Sequence, residues 1–61
     1  MNGKQIIKLL LTQGFVELRV TGSHHILGNG TCKVTVPVHG TADVKLGTLK
    51  SIEKQSGVKL K

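Results

Sequence analysis

Only Gly22 and Ser23 separate two strand-like runs, Val16–Thr21 and His24–Leu27, so the chain has to reverse sharply between them. In the first run Val16, Leu18 and Val20 alternate with Glu17 and Arg19, the period of a half-buried strand. Glycine supplies the backbone freedom for the reversal, and the turn hands a histidine out at the start of the second run. Histidine is the one side chain whose ordinary pKa lets it give or take protons near neutrality. No other group in the chain is an obvious catalyst, which makes this turn the place to look for function.

The other elements arrange themselves around that hairpin. Asn2 to Gln13 reads as a helix: Asn2 caps it, Gln5 stands at capping-box spacing, and Gly14 ends it. Ile6, Ile7, Leu10 and Leu11 form its buried stripe, widened by Leu9. After the second strand, Asn29-Gly30 is the dipeptide that favours a type I′ hairpin turn. Cys32, Val34, Val36 and Val38 then alternate with Lys33, Thr35, Pro37 and His39, giving a third strand with a core face. Pro37 has no N–H, so that end belongs at a sheet edge or beyond the pairing. Gly40 to Lys45 form a loop, and a second helix from Leu46 to Ser56 buries Leu49 and Ile52 before Gly57 stops it. Val58 to Lys61 read as a short frayed tail. The expected architecture is α+β in two layers, order α-β-β-β-α, with a three-stranded antiparallel sheet and both helices on one face.

Size and charge narrow the function. Sixty-one residues make one domain with a modest core, and a single cysteine, Cys32, allows no internal disulfide. A lone thiol suits a reducing compartment, and no apolar run is long enough for a membrane span, so a cytoplasmic domain is expected. Nine Lys and Arg against three acids give a net charge of +6, which implies a polyanionic partner. A membrane surface fits poorly, since neither helix pairs a wide apolar face with interfacial aromatics. Phe15 is the only aromatic residue, which argues against base stacking on aromatic platforms.

The order helix-β-β-β-helix is that of double-stranded-RNA-binding domains. Three segments carry a closer likeness: Thr21-Gly22-Ser23-His24-His25, then Val36-Pro37-Val38-His39-Gly40, then Leu46-Gly47-Thr48-Leu49-Lys50-Ser51-Ile52 with Lys54-Gln55 and Gly57 behind. In that order and spacing the chain resembles the HicA family of toxins from bacterial toxin–antitoxin pairs, over nearly its whole length as a single domain. The resemblance implies an mRNA interferase on a dsRBD-like fold, an endoribonuclease that needs no metal or other cofactor and is silenced by a HicB antitoxin. The family's catalytic histidine follows a Gly-Ser or Gly-Gly pair, which is His24 here. One segment departs from the pattern: many relatives carry a His-Pro pair near the second turn, where this chain has Leu27-Gly28-Asn29-Gly30.

RNA brings its own nucleophile, the 2′-hydroxyl, so a histidine that moves protons and groups that hold a phosphate suffice. Gly22 lets the backbone approach a phosphate, Ser23 offers a hydroxyl, and His24 is the acid/base candidate. Alternation places His24 with Ile26 and His25 with Leu27, so the pattern leaves open which face of the strand holds the site. His25 is counted with Gly22, Ser23, Lys50 and Lys54 among the substrate-binding candidates, and His39 is a candidate for a second proton-transfer group or phosphate contact, or else a turn-capping or solvent-facing residue. A zinc site is disfavoured, because His24, His25, His39 and Cys32 match none of its usual spacings and Cys32 shares the core parity of Val34 and Val36. Lys4 and Lys8 on the first helix, and Lys50 and Lys54 on the second, stand four apart, a repulsive spacing of a few tenths of a kcal/mol, roughly, that suits phosphate tracking. Arg19 and Lys33, outward on their strands, are further candidates. A non-catalytic RNA-binding module, or a protein that grips an acidic partner, would share this charge.

Overall fold

A computed structural model describes residues 1–60 and has the expected order: α1 (Gly3–Thr12), β1 (Val16–Thr21), β2 (His24–Gly28), β3 (Lys33–Pro37) and α2 (Leu46–Ser56). The strands form one antiparallel sheet in the order β1-β2-β3. Both helices lie on one face, α2 against β3 and α1 against β3 and β1. Between the layers Ile6 and Leu10 of α1, Phe15, Leu27, Val34 and Val36 of the strand region, and Ile52 of α2 are almost fully buried.

Local chemistry sets the helix ends. Asn2 Oδ1 accepts the Gln5 N–H at 2.9 Å and Gln5 Oε1 accepts the Asn2 N–H at 2.9 Å, closing the capping box. Gly14, at φ +92°, turns the chain out of α1, and Gly57, at φ +74°, ends α2 with its N–H on Glu53 O at 2.8 Å. Glycine is also needed at position 3 for space. A Cβ there would collide with the Pro37 carbonyl oxygen, so α1 starts directly against the end of β3.

Several sequence expectations are corrected. The largest concerns β1, whose six residues are all exposed. In a regular register Leu18 would oppose Leu27 and point inward with Val20. Instead the pairing runs Glu17↔Leu27 and then Arg19↔Ile26, a bulge that leaves Leu18 as the extra residue. Leu18 is thrown to the outer face, where it lies over Gly28: a Cβ on that glycine would come within 2.8 Å of Leu18 Cδ1. Val16 and Leu18 are therefore on the outer face, 56 and 52 % exposed, while Val20 keeps its inward register but lies on the edge strand and is 49 % exposed.

The Asn29-Gly30 turn is not type I′. Gly30 has φ +88° but Asn29 has no positive φ. Asn29 Oδ1 instead accepts the N–H groups of Thr31 and Cys32, at 3.0 and 2.7 Å, within a four-residue connection between Gly28 and Lys33. β3 accordingly begins after Cys32, which is half-buried, and ends at Pro37 on the sheet edge. Leu11 is 49 % exposed, outside the stripe that Ile6, Ile7, Leu9 and Leu10 turn to the core, and Leu49 packs on the core but is only half-buried.

The C-terminal tail is not frayed over the described residues. Gly57 folds it back so that Leu60 is 8 % exposed and Val58 packs on the core. Glu53 Oε2 accepts the Leu60 N–H at 2.8 Å and Ser56 Oγ accepts the Val58 N–H at 3.1 Å. Lys61 lies outside the described residues.

The two helical glycines, neither with positive φ, make opposite tests. Gly3→Ala is expected to destabilise by about 1–3 kcal/mol through overpacking against backbone. At Gly47 on α2 a Cβ would find open space, with nothing within 4 Å, so Gly47→Ala should be neutral or stabilise by up to about 1 kcal/mol. Paired thermal melts check both signs.

Candidate functional site

The β1–β2 turn is built as the sequence suggests, with Gly22 at φ +58° in open space. A side chain at that φ carries a steric cost that glycine escapes. Ser23 is half-buried, and its carbonyl accepts the Val38 N–H at 2.7 Å, which fastens the end of β3 to the turn. The turn is thus short and anchored.

His24 and His25 then part. His25 opposes Val20 and Val36, so it shares the inner face with the buried Val36. Its side chain is 23 % exposed, and Nδ1 lies 3.1 Å from Glu17 Oε2, to which it donates when that nitrogen carries the proton. The bulge makes this pair, because it turns Glu17 inward in place of Leu18. His24 opposes Thr21 and Pro37, points to the outer face away from the helices, and is exposed. Alternation alone left that choice open.

The outer face gathers more than the turn. Arg19 and Thr35 flank Ile26 in the next cross-strand row, and Lys33 opposes Gly28 one row further, all with the parity of His24. Arg19, Lys33 and Thr35 are exposed. Lys50 and Lys54 are exposed on α2, on the side turned away from Ile52 and Ser56 and so across the layer from His24. Lys4 and Lys8 are likewise exposed on α1. His39 is exposed in the β3–α2 loop, beside a groove of about 460 Å³ that Pro37, Asp43, Lys45 and Thr48 also line. The structure therefore places His24 beside Gly22 and Ser23, on the same face as Arg19 and, at the far end of the sheet, Lys33, and keeps His25, Lys50 and Lys54 off that face.

Glu17 is the residue that sequence reasoning missed. It looked like an outward strand residue, and its spacing from His25 becomes a contact only once the bulge is known. Among the described residues no three His, Cys, Asp or Glu side chains cluster to hold a metal ion, and no helix is long and apolar enough to cross a membrane.

This geometry separates the roles of three residues by stability. His24→Ala should leave the melting temperature near wild type, because the exposed ring has little packing to lose. Gly22→Ala should cost about 1–2 kcal/mol from its left-handed backbone. His25→Ala should cost less than about 1 kcal/mol from its half-exposed partner Glu17. Circular-dichroism melts of the three variants give the ranking.

No curated protein matches the chain significantly. A family model described as the HicA toxin of bacterial toxin-antitoxin systems matches residues 3–58. That span runs from the first residue of α1 to just past the end of α2, taking in the hairpin, the anchored Gly-Ser turn and every element of the sheet. With the fold and the turn both inside the match, the chain belongs to the HicA family, whose members are the toxins of bacterial toxin–antitoxin pairs.

Proposed function

We propose that this toxin is an endoribonuclease that cleaves mRNA, with His24 as its proton-transfer residue. The observation that carries the reading is the exposed ring of His24, set beside an anchored turn whose glycine leaves room for a phosphate. In the reaction the 2′-oxygen loses its proton and bonds to phosphorus, while the bond to the 5′-oxygen breaks and that oxygen takes up a proton. A 2′,3′-cyclic phosphate and a free 5′-hydroxyl result. His24 serves one of these proton transfers, a role worth about 10²–10⁴-fold.

Gly22 and Ser23 contact the scissile phosphate, through close backbone approach and through the serine hydroxyl. Arg19 and Lys33 share the open face with His24 and hold neighbouring phosphates. Lys50 and Lys54 contact a more distant stretch of RNA that passes round the domain onto α2, and His25 supports the strand from its inner side through Glu17. Contacts of this kind fix position without reading base sequence, so cleavage preference is weak. No metal takes part, and a HicB-type antitoxin silences the toxin by covering His24.

The test is cleavage of a labelled RNA in EDTA by the purified chain and by His24→Ala. Wild type should cleave, and the variant should lose at least roughly 10²-fold in rate while still binding RNA. A wild-type chain that binds RNA without ever cutting it would leave a binding module of the same topology. Lys50→Glu with Lys54→Glu should weaken RNA binding and flatten its salt dependence while the melting temperature holds.

A further inference from the structure

The hairpin leaves one side of β1 without a partner. Among the described residues no backbone hydrogen bond reaches β1 from any element except β2. The opposite edge, β3, is blunted at its end: the Val38 N–H bonds inward to Ser23 on the β2 side, so the outward-facing position is that of Pro37, which has no N–H to offer. An open edge is a template for another strand, and chains usually guard one with charge, proline or cover.

Here the edge is apolar instead. Val16, Leu18 and Val20 are each about half exposed, at 56, 52 and 49 %. The bulge distributes them unusually, with Val16 and Leu18 on the outer face and Val20 on the inner face. A partner lying flat on either face would cover only part of this set. A strand added beside β1 would cover all of it, since its own side chains alternate between the same two faces.

We propose that the antitoxin docks by adding an extended segment to the free edge of β1, with apolar residues beside Val16, Leu18 and Val20 and an acidic residue facing Arg19. Charge selects this occupant over a second copy of the chain. Two copies would each bring a net charge of +6 and place Arg19 of each strand at the shared edge, whereas an acidic segment is drawn to it. A segment bound there would also lie along Arg19, on the face that carries His24. The inference rests on membership of a toxin–antitoxin family and stands apart from the proposed RNA cleavage.

Amide hydrogen exchange of the chain, free and bound to its co-expressed antitoxin, tests the docking mode. The free-edge amides of Val16–Thr21 should exchange quickly in the free chain and become protected in the complex. Leu18→Lys and Val20→Lys should each weaken binding more than roughly tenfold, while Leu11→Lys, equally exposed on α1, should bind as wild type. Tight binding that leaves β1 unprotected and is indifferent to both substitutions would overturn the proposal. Protection of β1 that rises with the chain's own concentration, with no antitoxin present, would overturn it in favour of self-pairing. RNA cleavage measured on the same variants reports separately, so loss of that activity would leave the docking result readable.

Discussion

The extra residue at Leu18 decides how this hairpin presents itself. A sheet has a side-chain period of two, so one inserted residue reverses every inward and outward assignment beyond it. Between the turn and the bulge, β1 keeps regular register with β2 and places His24 outward and His25 inward. Past the bulge, Glu17 takes the inward position and meets His25, while Leu18 moves out over a glycine that has no side chain to obstruct it. A single local irregularity thus gives His25 its partner and puts two apolar residues of the edge strand, Val16 and Leu18, on the outer face.

The two-layer build has a consequence for charge. The helices occupy the inner face, so their lysines point away from the sheet and from His24. The basic residues that share the face of His24 are Arg19 and Lys33, each from a different strand. A net charge of +6 on so small a body attracts a polyanion, and basic residues stand both on the open face of the sheet and on the helices. Where it is positioned then depends on the shape of the Gly22-Ser23 turn and the residues beside it.

Local signals were legible wherever the physics is local. The Asn2 and Gln5 capping box, the helix stops at Gly14 and Gly57, and the inward parity of Val34 and Val36 follow from a few neighbouring residues each. The turn at Gly22 and the family likeness were legible in the same way. What stayed hidden depends on pairing across the sheet or on distant contacts. The bulge exists because Glu17 and Leu18 exchange faces opposite β2, which no window along β1 reveals. Leu60 is buried because Glu53 holds its backbone, seven residues away, and Asn29 avoids a left-handed turn because its own side chain satisfies two N–H groups. His24 was named from its turn, but its face came only from the register.

In the proposed function His24, and not its neighbour, meets the RNA from the open face of the sheet. The direct measurement is nuclear magnetic resonance of the isotopically labelled chain titrated with a 2′-O-methyl RNA, which lacks the nucleophile and so cannot be cut. The ring signals of His24 and the amides of Gly22 and Ser23 should move on binding, with the ring of His25 nearly still. Movement of His25 with His24 unaffected would contradict that placement.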